Sequence, residues 1–162
     1  MNDQKDGKGE EEEMPVDPAL KATRYHGVIK ERLYVLEQIA VKINDEKKWF
    51  VEIRNLEQAF AKELPEHFRN EEELLFPILE SRGIPEHKAL VARLRTEHAG
   101  LLAQMEGITQ LLCEHMFPLQ PEAAARINEE LHRFSQALCQ HAETEDEQLF
   151  TAVQSLNAGA GR

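Results

Sequence analysis

The chain has 162 residues, of which 41% are apolar and 30% charged, with a formal net charge of −11; this is the mixture of a soluble helical protein long enough to bury one core. The acidic balance argues against nucleic acid as a partner, since that needs a clustered basic face. No apolar run approaches the roughly 20 residues that a membrane helix requires. The opening MNDQKDGKGEEEEMPVD lacks the apolar centre of a signal peptide and the Arg-rich character of a transit peptide, so a cytoplasmic location is expected. Cys113 and Cys139 form no disulfide framework and read as free thiols.

Residues 1–16 are rich in Gly, Lys, Asp and Glu and cannot bury enough apolar surface to offset their ordering entropy. They predict a disordered acidic tail. Asp17-Pro18 reads as the N-cap and first residue of a helix on which His26, Ile29, Leu33, Leu36, Ala40 and Ile43 recur at spacings of three and four, ending near Asn44-Asp45. A second helix opens at Lys47 or Lys48 and carries Phe50, Ile53, Leu56, Phe60, Leu64, His67, Glu71, Leu74 and Ile78 on one stripe. That stripe keeps its phase across Pro65, which predicts a kink and not a break. Ser81-Arg82-Gly83 is a stop with Gly in the left-handed position.

Ile84-Pro85 starts a third helix with Val91, Leu94, His98, Leu101, Met105, Ile108, Leu112 and His115 on its seam. Phe117-Pro118-Leu119-Gln120-Pro121 breaks it. The fourth helix carries Ile127, Leu131, Phe134, Leu138, His141, Glu145 and Leu149, and residues 157–162 predict a flexible tail. Four amphipathic helices with short connections make an all-α, up-down-up-down four-helix bundle over residues 17–156.

A repeat runs beneath this order. His67-Phe-Arg-Asn-Glu71-Glu-Glu-Leu-Leu-Phe-Pro77 returns in weaker form as His141-Ala-Glu-Thr-Glu145-Asp-Glu-Gln-Leu149-Phe150, each preceded one helix earlier by a lone seam histidine, His26 or His98. Residues four apart share a helix face, so each copy aims an imidazole and a carboxylate into one space. The six residues His26, His67, Glu71, His98, His141 and Glu145 thus occupy positions that otherwise hold Leu, Ile or Phe. Unpaired, each would cost on the order of 1 to 3 kcal/mol to bury. Helix rise puts His67, His98 and His141 in one layer, roughly 20 to 25 Å along their helices, and His26 only about 12 Å along its own. Either the first helix begins lower in the bundle or its ends are misread.

Four imidazoles and two carboxylates suit two borderline-hard cations, with iron or manganese favoured over a thiolate-seeking metal. We assign His26 and His67 to one metal, His98 and His141 to the other, and Glu71 and Glu145 as bridges. Asp146 is the rival to Glu145. Among the remaining candidates, His132 and His87 are expected to face solvent, His115 to be a structural seam residue, and Tyr25 to lie on the helix surface. Leu94, Leu101, Leu102 and Met105 around His98 read as core packing.

With these residues in view, the chain resembles the hemerythrin-like family, specifically the HHE cation-binding domains, across roughly residues 18–155. The resemblance implies a non-haem di-iron centre, two iron ions with an oxo or hydroxo bridge, manganese or zinc being possible substitutes. It also implies a small diatomic ligand or peroxide as the partner at the metals. Oxygen carriers of that family have a second His one turn after the third helix's ligand, where this chain has Leu102. The ligand set looks more like members linked to nitric oxide and oxidative stress. The expected function is therefore binding or sensing of dioxygen, nitric oxide or reactive oxygen species. The alternative is a di-iron stress-response enzyme, peroxidase-like, handling nitric oxide or repairing iron-sulfur clusters.

Overall fold

The structure, a computed structural model, describes residues 16–160; the tail predicted over 1–16 lies outside the described residues except for Val16, as do the last two residues of the tail predicted over 157–162. Four helices form the bundle. Helix α1 is Pro18–Ala40. Helix α2 is a continuous rod made of Lys47–Asn70, a π-helical turn Glu71–Leu75 and a final stretch Phe76–Glu80. Helix α3 is Pro85–Cys113, and α4 repeats the design of α2 as Pro121–Thr144, a π-helical turn Glu145–Leu149 and Phe150–Ala160. Each helix packs on its sequence neighbour and α4 closes back onto α1, which is the up-down-up-down arrangement that short connections impose.

The local signals act as expected at most ends. The Asp17 carboxylate caps α1 by accepting from the Ala19 N–H at 3.0 Å, with Pro18 in the first turn. Gly83 takes φ +69° just past α2, the left-handed conformation that a side chain would resist. Pro65 sits inside one unbroken helix. Helix α1 is shorter than its periodicity predicts: it ends at Ala40, and two tight turns, Lys42 N–H to Ile39 O and Ile43 N–H to Ala40 O, keep Ile43 in the core after the helix has stopped. At the other terminus α4 runs through Ala160, past the predicted helical end at Leu156.

The stripe on α2 needs a correction beyond Glu71. Leu74, predicted to face the core, is 49% exposed, whereas Leu75 is 2% exposed and Phe76 and Leu79 are buried; Ile78 is only half-buried. The π turn is the reason. It inserts one extra residue into the helical repeat, so the inward face moves on by one position. In each π turn an N–H reaches back five residues, from Phe76 to Glu71 O and from Phe150 to Glu145 O.

The interior divides into two apolar clusters. The larger contains Ile29, Leu33, Phe60, Leu64, Leu101, Met105, Phe134 and Leu138, and the smaller contains Ala22, Leu75, Phe76, Leu79, Leu94, Leu149 and Phe150. On α1, α3 and α4 the change from one cluster to the other straddles a histidine: Ala22 and Ile29 flank His26, Leu94 and Leu101 flank His98, Leu138 and Leu149 flank His141; on α2 it falls between Phe68 and Leu75, around Glu71. The polar layer is a floor between two apolar compartments.

Candidate metal centre

All six sequence-predicted residues are buried and meet in this layer. His26 reaches it although it sits only roughly two turns into α1, because α2, α3 and α4 all extend beyond the start of α1 at that end. Helix α1 does begin lower in the bundle, which resolves the mismatch of heights.

Two overlapping donor sets result, His26, His67, Glu71 and Glu145 on one side and Glu71, His98, His141 and Glu145 on the other, each with ligand atoms within 4.8 Å of one another. Both carboxylates belong to both sets. Glu71 turns Oε1 to His67 Nε2 at 3.1 Å and His26 Nε2 at 3.5 Å, and Oε2 to His98 Nε2 at 3.3 Å. Glu145 turns Oε2 to His26 Nε2 at 3.2 Å, and Oε1 to His98 and His141 Nε2, both at 3.2 Å. Across the first set the Nε2 atoms of His26 and His67 face each other at 3.0 Å.

Several of these contacts are close without being hydrogen bonds. Both oxygens of Glu71, Oε2 of Glu145 and Nε2 of His141 are buried with no hydrogen-bond partner among the described residues. Buried polar atoms are almost always satisfied, and atoms that converge at these distances with the wrong angles for hydrogen bonding are arranged as donors around a shared cation. Nitrogen and carboxylate donors fit iron, manganese or zinc, and the donor set contains no thiolate.

The outward nitrogens are anchored. Nδ1 of His26 lies 2.7 Å from Asp146 Oδ1, Nδ1 of His98 lies 2.8 Å from Glu72 Oε1, and Nδ1 of His141 lies 2.7 Å from Glu97 Oε2. Such a partner fixes the tautomer and makes the inward Nε2 the lone-pair donor. Asp146, the rival to Glu145, therefore serves from behind His26, and its other oxygen takes Lys30 Nζ at 2.9 Å. These anchors were missed by sequence reasoning. The available signal was position: Glu72 and Asp146 each directly follow the inward glutamate of their copy.

The repeat explains itself here. Within each copy the first acid enters the layer, the second anchors the lone histidine of the other hairpin, and the Phe of the Leu-Phe pair packs on that same ring. Phe76 lies 5.6 Å from His98, centroid to centroid, and Phe150 lies 5.3 Å from His26. Phe68 adds a second face, stacked on His98 at 4.0 Å and 8°. In an α-helix the fifth residue on would point roughly 140° away. The π turn brings it back to the same side.

Burial and charge act against each other in the metal-free arrangement. Burial disfavours the charged form of His26 and His98, but the adjacent Glu145 and Glu71 carboxylates outweigh it and raise both to about 10. His141 is raised by the same contest, mainly through Glu145. At His67 burial prevails over the neighbouring Glu71 carboxylate and lowers it to about 4. Burial pushes the Glu145 carboxyl upward, yet the adjacent His141, His26 and His98 imidazoles hold it well below the usual carboxylate range.

Tyr25 corrects another expectation. It is half-buried and packs its ring against His67 at 4.6 Å, with its hydroxyl oxygen buried. A helix with two neighbours in a bundle buries an arc wider than one stripe, so the residue beside a seam position is covered as well. Burial, with the Glu63 carboxylate nearby, raises the phenol further above its ordinary value. A cavity of about 420 Å³ between α1 and α2 is lined by Ala22, Tyr25, Leu74 and Leu75 and reaches His67 and Glu71. The other histidines stay apart: His132 is exposed as expected and pairs with Glu37 at 3.0 Å, His87 is half-buried with Nδ1 unpaired, and His115 lies just past the end of α3, outside the helical seam. Leu102, at the position of the missing second histidine, packs half-buried against the larger cluster.

Among the described residues no helix is long and apolar enough to cross a membrane. The family model described as the hemerythrin HHE cation binding domain matches residues 21–153, a span that holds all six residues of the layer. No curated protein and no solved structure matches the chain.

Proposed function

The chain belongs to the hemerythrin HHE cation-binding domain family, and from that premise we propose that its polar layer holds two iron ions and binds or senses dioxygen, nitric oxide or a reactive oxygen species. One observation carries the reading. Glu71 and Glu145 each present one oxygen to the His26–His67 pair and the other to the His98–His141 pair, which is what two carboxylates bridging a pair of ions require. Once bound, such ions would supply open positions for a diatomic ligand or peroxide and a means of exchanging electrons with it.

The chain's own residues do the rest. Asp146, Glu72 and Glu97 keep three imidazoles in the tautomer that leaves Nε2 free. The two apolar clusters exclude water above and below the layer. The cavity beside Tyr25 gives a small molecule a path to His67 and Glu71. Tyr25 also supports a second reading, a peroxidase-like or nitric-oxide-handling stress enzyme, because a phenol next to the layer is the kind of protic group that turnover needs and simple binding does not.

Metal analysis of purified protein, with absorbance spectra under argon, air and nitric oxide, tests the proposal. A content below about one metal per chain would sink the two-ion reading. Glu71→Ala should lose metal and lower the unfolding temperature, since it strips one bridge and leaves buried imidazoles unpaired. Steady consumption of hydrogen peroxide, lost in Tyr25→Phe while metal content holds, would move the assignment to the enzyme.

A further inference from the structure

We infer that the two halves of the centre hold their ions unequally, the His98–His141 half filling first and tightly and the His26–His67 half exchanging its ion through the cleft. The inference rests on the two-ion reading above and adds an order and a place of exchange to it.

The repeat makes the two halves comparable residue by residue, and they differ in four ways. Both imidazoles of the His98–His141 half are anchored at Nδ1 by carboxylates, Glu72 at 2.8 Å and Glu97 at 2.7 Å. Only one imidazole of the other half is anchored, and its acceptor Asp146 shares its charge with Lys30 at 2.9 Å; His67 takes part through Nε2 alone among the described residues. The position before each lone histidine shows the cause. Glu97 precedes His98 and anchors His141, whereas Tyr25 precedes His26 and offers His67 a ring face in place of a carboxylate.

The second difference is rigidity: His98 is stacked between Phe68 and Phe76, both within 14° of parallel, while His26 has Phe150 alone at a tilt of 37°. The third is exposure, confined to His67 at 8% against 1% for His26 and His98 and 3% for His141. The fourth is access, since the 420 Å³ cavity reaches His67 and Glu71 but neither His98 nor His141. A carboxylate behind a ligating histidine raises its basicity and fixes its aim, and losing one typically costs 10- to 100-fold in metal affinity. Two anchors against one, on the buried side against the open side, all favour the same half.

The test is a titration of the metal-free full-length protein with manganese(II), followed by calorimetry and by electron paramagnetic resonance. Two steps at least about 10-fold apart in affinity are expected, with an isolated-ion spectrum up to one equivalent and a coupled-pair spectrum only beyond it. His67→Ala should keep the first step and lose the second. Glu97→Ala, at a partly exposed position, should weaken the first step by about 10-fold, with Glu97→Gln as the milder replacement if the alanine variant folds poorly. A coupled spectrum from the first addition, or loss of the first step in His67→Ala, overturns the inference and leaves the two-ion reading standing. No manganese uptake by the unaltered protein overturns both.

Discussion

His67 and His26 face each other across 3.0 Å with opposite tendencies, and that opposition sets how the metal-free chain responds to pH. His26 and His98, raised from 6.5 to about 10, hold a proton more tightly folded than unfolded. Their contribution to stability is fully present below pH 6.5 and is lost as pH rises toward 10. His67, lowered to about 4, does the reverse and costs stability as pH falls from 6.5 to 4. Glu145, held below its ordinary 4.5, adds a loss as pH falls below 4.5. Thermal unfolding of the metal-free protein should therefore be most resistant near pH 6.5 and decline on both sides, and metal loading should remove the alkaline decline because the ion then takes the place of the second imidazole proton at Nε2. A flat profile from pH 6.5 to 10 without metal would contradict the ion pairing. A different buried acid lies outside the layer. Glu57 is 3% exposed, receives the Thr109 hydroxyl at Oε1 and leaves Oε2 without a partner. Replacing it with Met should raise stability by about 1 kcal/mol or more, measured by urea unfolding, since an incompletely paired buried acid is often worse than an apolar side chain of similar size. Glu57 was not legible in the sequence, because a single acid on a helix flank looks like any of the 30 acidic residues. The six residues of the layer were legible for the opposite reason, as polar groups repeated at intervals that a helix keeps on one face.

The π turns are the part of the helices that periodicity could not show. A stripe read at 3.6 residues per turn continues past Glu71 onto Leu74 and Ile78, but the structure buries Leu75, Phe76 and Leu79. Pro77 lies just beyond the first π turn and could be taken as its cause, since it cannot donate to the preceding turn. The second copy argues otherwise, because Thr151 stands there and the turn Glu145–Leu149 forms all the same. What the copies share is the demand on Glu71, Glu72 and Phe76, and on Glu145, Asp146 and Phe150, to reach one side of the helix together. Pro77→Ala should therefore keep metal content and change stability by less than about 1 kcal/mol, whereas deleting Glu73 should rotate Phe76 off His98 and lose metal. The helices themselves were legible wherever the core runs at ordinary helical period, as on α3 and on α4 up to His141. Tyr25 was not, because a stripe describes one contact face and a bundle helix has two.

As a whole the molecule is two apolar compartments joined through a polar floor, and the floor belongs to neither. The smaller compartment, with Ala22, Leu75, Phe76, Leu79, Leu94 and Phe150, has too few large side chains to order four helix ends strongly by itself. Removing metal should therefore loosen that end first: amide hydrogen exchange should rise in 72–94 and 147–158 while 53–64 and 127–138, in the larger cluster, stay protected. Uniform loss of protection along all four helices would show instead that the bundle opens as one unit. The compartments were implicit in the sequence as apolar residues on both sides of each seam histidine, but their unequal size depends on how far α2 and α4 overhang α1. The crossed anchors carry one more consequence. Asp146 of the second hairpin holds His26 of the first, and Glu72 of the first holds His98 of the second, so each hairpin lacks the parts that finish its own lone histidine. A chain severed in the exposed turn at Arg82-Gly83 should yield two fragments that pair weakly through the larger cluster without metal and tightly when it is added, a complementation pair whose joining reports the ion, readable as a gain of helical circular dichroism on mixing.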